Sequence, residues 1–291
     1  MYPGYCSSGL ESWRAAGAAP LNFAMWWFQQ GLCFFPSALV VWSAATFIFS
    51  YVTAVLMKDV DLLVPYISDT GSIAPERCLF GVMLTISAFL GVVTMFVRYK
   101  QVEALIPLEV TIRRWNKTGL ALGMISCFGL CIVANFQKTV FIYVHVLGGI
   151  LSFGFGALYI SIQTILSYKM QPHIHGKQIF WIRLVVLLWC WFSAASMFFS
   201  TVVLHSEIHG VEVLKKLHWD PQEKGFTAHI ICTVSEWSLA FSFVTFFFTY
   251  IRDFQNICIH VQVQLQEPDP HTSWPDSETR HEKSLLLAGS L

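Results

Sequence analysis

Six long apolar stretches, at 32–57, 79–97, 119–136, 140–166, 182–204 and 228–251, constrain this chain more than any other feature. A helix needs about 20 apolar residues to cross roughly 30 Å of hydrocarbon. In lipid every backbone N–H and C=O must find a partner inside the protein, which leaves helices as the economical way across. Only 12% of the 291 residues are charged, about half the usual share of a water-soluble domain, so too little polar surface remains to coat a particle in water. The fold expected is an all-α integral membrane protein, a bundle of six transmembrane helices spanning a domain at 25–255. Pro36 lies near the start of the first stretch, where a missing N–H is tolerated. The third and fourth stretches are joined only by Gln137, Lys138 and Thr139, which reads as a tight hairpin.

An even number of crossings puts both termini on one side. Lys and Arg crowd the helix ends along 98–118 and 167–183, with Arg98, Lys100, Arg113, Arg114, Lys117, Lys169, Lys177 and Arg183. The opposite loops carry Lys58, Arg77, Lys138, Lys215, Lys216 and Lys224. Positive charge near helix ends favours the cytosolic side, so both termini are expected to be cytosolic. The sequon Asn116-Lys117-Thr118 would then face the cytosol unmodified. Residues 1–24 form an Ala/Gly/Ser-rich lead, expected to be a disordered extension, with Met25 as the working start. No cleavable signal peptide is evident, because the first apolar run is too long and lacks a basic front.

The balance of charge, with Lys+Arg and Asp+Glu at 18 each, gives no reason to expect a nucleic-acid partner. Eight cysteines are scattered without a C-x-x-C pair, so neither a zinc site nor a disulfide framework is indicated. A claudin-like chain would carry a cysteine pair in its first outer loop, and here that pair is missing. No metal and no cofactor are expected. Membrane lipids are the obvious partners.

Glu236 stands out as an ionisable residue deep inside an apolar stretch, where a charge costs about 2.5–3.5 kcal/mol on insertion scales. His229, Thr233 and Glu236 are spaced i, i+4, i+7 and share one helix face. Asn135 and His145 should lie in the same outer half of the membrane, so these five are expected to form a polar cluster inside the bundle. Three readings stay open: a neutral, hydrogen-bonded lock between helices; a protonation switch or permeation path; and an intramembrane hydrolase or metal site. The last lacks three ligands at defined spacing and a nucleophile with its base. His173 and His175, in a basic loop, read as a solvated or headgroup-facing segment.

Small residues recur every four positions, at Gly119 and Gly123 and at Gly148, Ser152 and Gly156. Such rows allow close helix approach, within one bundle or across a dimer. Among the outer loops, 65–71 (PYISDTG) combines Pro65, an Asp69 able to form an Asx-turn, and Gly71, so a turn-rich cap is expected. The loop at 205–227 carries Trp219, expected at the membrane interface. The tail, 256–291, is polar and Pro-containing and is expected to be disordered. It carries an acidic dileucine pattern, Glu282 with Leu286 and Leu287, of the kind sorting adaptors read on cytosolic tails. Tyr99-Lys100-Gln101-Val102 is an alternative sorting signal. Cys258 is a palmitoylation candidate or an idle thiol.

Four motifs in fixed order, PYISDTG at 65–71, VANFQ at 133–137, Ser235-Glu236-Trp237, and YIRDFQ at 250–255, resemble the DNA damage-regulated autophagy modulator family, part of the wider Frag1/DRAM/Sfk1 group. Segments 25–31 (MWWFQQG) and 170–178 (MQPHIHGKQ) are similar to one of its paralogues in particular. The resemblance implies a six-helix lysosomal membrane protein that promotes autophagy, is linked to apoptosis, and engages autophagy machinery through its cytosolic surfaces. It implies no catalytic residues. The alternative kept beside it is a proton-sensitive transporter, channel or lipid-handling protein of endolysosomal membranes.

Overall fold

The computed structural model describes residues 31–63, 65–106, 109–171, 176–208, 216–255 and 257. These belong to the unit Met1–Cys258, and the second unit, Ile259–Leu291, lies outside them. The expectations placed on 1–24, His173, His175, Cys258 and the signal at Glu282, Leu286 and Leu287 therefore also fall outside the described residues.

Six helices are long and apolar enough to cross a membrane. They are α1 (Phe34–Met57, preceded by a 3-10 turn at Gly31–Cys33), α2 (Glu76–Leu105), α3 (Val110–Asn135), α4 (Ile142–Lys169), α5 (Lys177–Glu207) and α6 (Phe226–Phe254). No strand occurs among the described residues. Each helix packs on the next, and α6 returns to α1, closing a ring. The Leu32 amide donates to the Ile257 carbonyl at 3.1 Å, so the two described ends meet on one face of the bundle.

The helices extend past the apolar stretches that announce them. At 30 residues, α2 is about 45 Å long at 1.5 Å per residue, well beyond the hydrocarbon thickness. Hydropathy fades at Arg98, but helical spacing continues to yield partners: Lys100 pairs with Glu103 at 2.8 Å and the Tyr99 hydroxyl donates to Glu103 at 3.2 Å. Side chains three and four residues apart sustain a helix without apolar content. Between α3 and α4 the chain turns tightly, with the Gln137 carbonyl accepting from the Phe141 amide at 2.9 Å.

Large apolar side chains cover the outside, and Phe192 on α5 is 75% exposed. That is the surface a hydrocarbon solvent requires. The interior is rich in small hydroxyl residues whose side chains donate to the carbonyl four residues earlier, as Thr46 does to Trp42, Thr94 to Leu90 and Ser167 to Gln163. These bonds hide polarity within each helix, so the hydroxyls need no water.

At the α3–α4 crossing the two backbones approach closely. A Cβ on Gly129 would lie 2.5 Å from the Ser152 amide nitrogen, and one on Gly148 would lie 2.7 Å from Ile132 Cγ2. The Ser126 hydroxyl crosses to the Ser152 carbonyl at 2.7 Å. Here α4 adopts a π-helical turn at Ile150–Gly154. The rest of the small-residue rows is also filled from within: Gly119 faces Ile162 and Gln163 of α4, and Gly156 faces Phe243 of α6.

Candidate functional site

The loop between α1 and α2 folds over one end of the ring and is fastened to α6 by two consecutive residues. Glu236 Oε2 accepts the Ile67 amide at 2.9 Å, and the Trp237 indole N–H donates to the Pro65 carbonyl at 2.8 Å. A third fastening joins Thr70 Oγ1 to Ser50 Oγ of α1 at 3.1 Å. The PYISDTG and Ser235-Glu236-Trp237 motifs are thus two halves of one latch. Gly71 lies flat against the Phe80 ring of α2, where a Cβ would collide with the ring.

Asp69 departs from the expected Asx-turn. Its carboxylate reaches Lys138 of the α3–α4 hairpin, 2.5 Å away and itself buried, and the turn is closed by the backbone, Ser72 N to Asp69 O at 3.1 Å. Burial pushes the Asp69 carboxyl above the usual carboxylate range, with Lys138 and the Tyr66 amide opposing that shift. The Lys138 ammonium also sits 4.2 Å from the Tyr66 ring centroid. Burial raises the Tyr66 hydroxyl well above its ordinary value too, with Cys232 and the nearby Glu236 and Asp69 adding to the effect.

The loop between α5 and α6 closes against the one between α1 and α2. Asp61 accepts the Trp219 amide at 2.7 Å and pairs with His218 at 2.9 Å. The Trp219 ring stacks on His229, with centroids 4.3 Å apart, and the Tyr66 ring meets His229 edge-on at 5.1 Å. Trp219 is 8% exposed, so it packs beneath the cap and not out at a membrane interface.

The five residues expected to form one cluster are distributed over separate contacts. Glu236 serves the cap. His229 is held between Trp219 and Tyr66. Thr233 donates to the Ile230 carbonyl at 2.9 Å within its own helix. His145 Nδ1 lies 2.7 Å from the Phe136 carbonyl, bracing the α3–α4 hairpin. Asn135 is exposed and donates to Cys131 O at 2.8 Å. Period alone placed three of them on one face; what they touch is decided by loops whose course periodicity cannot reveal.

Under the latch, inside the ring, lies a cavity of about 130 Å³ lined by α1, α2, α3, α4 and α6. Its walls are mostly apolar, with Leu84, Leu130, Phe153 and Phe243 among them. Glu236 stands at one end, half-buried. The π-helical turn contributes Ser152 and Phe153 to the wall. π segments are frequent at functional sites, and an apolar cavity with few polar groups is the usual form of a small-molecule site.

At the other end of the bundle, sequence reasoning missed a buried ion triad. Arg98 of α2 and Arg183 of α5 have no exposed surface, and both reach Asp253 Oδ2 of α6, Arg98 from 3.4 Å. Arg98 also donates to Gln101 at 2.6 Å and Gln163 at 3.3 Å, and Arg183 to Ser167 at 2.6 Å and Thr249 at 3.0 Å. Both guanidinium groups lie within 5.3 Å of the Tyr250 ring centroid. From sequence, Arg98 reads as a loop charge and Arg183 as a charge at a helix edge. The available signal was Asp253 in YIRDFQ, an acid at matching depth. The stretch Tyr99–Val102 likewise lies within α2, with Val102 1% exposed and Gln101 bonded to the Asp253 carbonyl at 3.1 Å, so it is no linear sorting signal. Asn116 is 2% exposed and donates to the Tyr99 carbonyl at 2.9 Å, which closes the sequon whichever side it faces.

The family profile described as "Frag1/DRAM/Sfk1/Cwh43P N-terminal domain" matches residues 31–257, the region of the ring. The chain is 58% identical over 264 residues to the Bos taurus "DNA damage-regulated autophagy modulator protein 2", covering 91% of this chain and 99% of that protein. It is 38% identical over 239 residues to the Homo sapiens "DNA damage-regulated autophagy modulator protein 1", covering 82% and 97%. A more distant relative, the Danio rerio "Modulator of macroautophagy TMEM150B", is 30% identical over 213 residues, 72% of this chain and 80% of its own. No solved structure matches.

Proposed function

From the membership of this chain in the Frag1/DRAM/Sfk1/Cwh43P family, to which it belongs over residues 31–257, we infer that it is a multi-pass membrane protein that modulates autophagy. The observation that carries this reading is the name borne by relatives aligned over 72% to 91% of the chain: autophagy modulators, not enzymes. It acts by contact and not by catalysis, at the lysosomal membrane, with both termini cytosolic. Its cytosolic surfaces engage autophagy machinery, and sorting adaptors read Glu282, Leu286 and Leu287. A link to apoptosis belongs to the same reading. The meeting of Leu32 with Ile257 supports termini on one side.

The second reading, a lipid-handling protein of endolysosomal membranes, is favoured by the apolar cavity beneath Glu236. An ion path has less behind it, because Thr233 and Trp237 beside Glu236 donate to the backbone carbonyls of Ile230 and Pro65.

The test is autophagic flux, read as degradation of long-lived protein with and without a lysosomal inhibitor, in cells lacking the chain and re-expressing it. Restored flux with the protein co-fractionating with lysosomes supports the reading. Flux indifferent to the protein would overturn it. Replacing Leu286 and Leu287 by Ala should move the protein toward the cell surface, and continued lysosomal residence would remove the adaptor role.

A further inference from the structure

The cavity inside the ring is lined by one carboxyl group, that of Glu236, among mostly apolar walls. Three of its serine hydroxyls are engaged: Ser43 Oγ bonds Ser87 Oγ at 3.2 Å, and Ser126 Oγ donates to the Ser152 carbonyl at 2.7 Å. Glu236 accepts the Ile67 amide on Oε2, and its other oxygen receives no hydrogen bond among the described residues. Glu236 is half-buried, and the cavity is the space it lines. The latch to Ile67 fixes where that carboxyl group stands, and the π-helical turn shapes the facing wall. We propose that this cavity binds the hydroxyl-bearing end of a neutral membrane lipid, with Glu236 as its hydrogen-bonding anchor.

The chemistry of the site selects that class. A lipid ending in a carboxylate or phosphate would bring a like charge against Glu236. A protonated amine would have to leave water for apolar walls, at several kcal/mol of desolvation. A hydroxyl donates to a carboxylate and accepts from a carboxylic acid, so it suits Glu236 in either protonation state. Volume narrows the choice further. A cavity of about 150 Å³ in an apolar core takes one benzene ring, so the space here accepts the tip of a lipid and not the whole of one. Two lipids present such a tip: the hydroxyl-bearing ring of a sterol and the free hydroxyl of a diacylglycerol. The proposal rests on the membrane bundle and not on the autophagy reading, so its failure and the failure of that reading are separable.

The experiment uses the full chain in phosphatidylcholine vesicles containing a trace of diazirine-bearing sterol or diazirine-bearing diacylglycerol, irradiated and mapped by mass spectrometry. The expected adducts fall on cavity residues such as Leu84, Phe153 and Phe243, and excess unlabelled alcohol of the same class competes them away. The matching methyl ether should label about tenfold less, the worth of one hydrogen bond at the upper end of its range. Ala240→Phe should abolish cavity labelling by filling the space. Leu84→Phe provides a second obstruction should the first variant fail to fold. Glu236→Leu should reduce labelling as the ether does, while Glu236→Gln should retain most of it. Labelling by one probe alone identifies the source. Equal labelling by alcohol and ether, or adducts spread over lipid-facing residues such as Phe192 and unchanged in the variants, would overturn the proposal.

Discussion

Replacing Asp253 by Asn is the most informative single perturbation of the bundle. It leaves the shape of the side chain almost intact and removes the acid that both Arg98 and Arg183 reach. Two guanidinium groups without exposed surface would then remain, their charges uncompensated apart from neutral acceptors and the Tyr250 ring. Removing one partner from a buried ion pair costs about 3–5 kcal/mol. At 2–4 °C per kcal/mol for a chain of this size, the melting temperature should fall by roughly 10 °C. The assay is thermal unfolding of purified protein in lipid nanodiscs, followed by far-ultraviolet circular dichroism at 222 nm. Well-packed apolar residues often replace a buried triad at little cost. The triple variant Arg98→Met, Arg183→Met, Asp253→Leu should therefore recover more than half of the loss, a strong non-additivity among contacting residues. A shift below about 2 °C for Asp253→Asn, or a triple variant no better than the single one, would refute the reasoning.

The cap makes a pH prediction. Burial holds the Asp69 carboxyl above its usual range, so the folded state binds that proton more tightly than the unfolded chain does. The contribution to stability is complete below the ordinary value of about 3.9 and is lost as pH rises through the raised one. Between pH 4 and 7 the melting temperature of the native chain should therefore fall relative to that of Asp69→Asn, and parallel pH profiles would count against the assignment. At the α3–α4 crossing, Gly129→Leu should destabilise severely, because even a Cβ meets Ser152 at 2.5 Å, whereas Gly149→Ala meets nothing within 4 Å and should gain up to about 1 kcal/mol; thermal unfolding of both variants decides it. Asn116 should carry no glycan in any compartment, seen as an electrophoretic mobility indifferent to glycosidase. Glu236→Gln should leave the proposed lysosomal targeting intact while removing any pH dependence of autophagic flux, and an unchanged pH response would show that Glu236 is not the pH-sensing group.

The six crossings were legible in the sequence because lipid imposes one crude demand, a long apolar run, and every helix here meets it. Glu236 was legible for the complementary reason, that a carboxyl group in such a run is costly. Its partner was not. The Ile67 amide comes from a loop 169 positions away in sequence, and nothing in the 3.6-residue period of α6 points to it. Lys138 read as a hairpin charge because three residues between two apolar runs look like loop, yet it is drawn under the cap by Asp69 and Tyr66. Arg98 reads as a loop charge and Arg183 as a helix-edge charge because hydropathy fades at both, yet both lie inside helices, α2 and α5, whose packing against α6 brings each guanidinium to Asp253. The motifs that carried the family resemblance were read as separate labels, while the fold joins PYISDTG to Ser235-Glu236-Trp237 through two hydrogen bonds.

Single cysteines placed at Lys58, Glu109, Thr139, Gly176 and Lys224 in a cysteine-free background, probed with a membrane-impermeant maleimide on sealed lysosomes and on opened ones, measure the crossings themselves. Glu109 and Gly176 should react from outside the sealed organelle, and Lys58, Thr139 and Lys224 only after opening. Any two successive loops reacting from the same side would contradict six crossings and, with them, the ring, the latch and the cavity it covers.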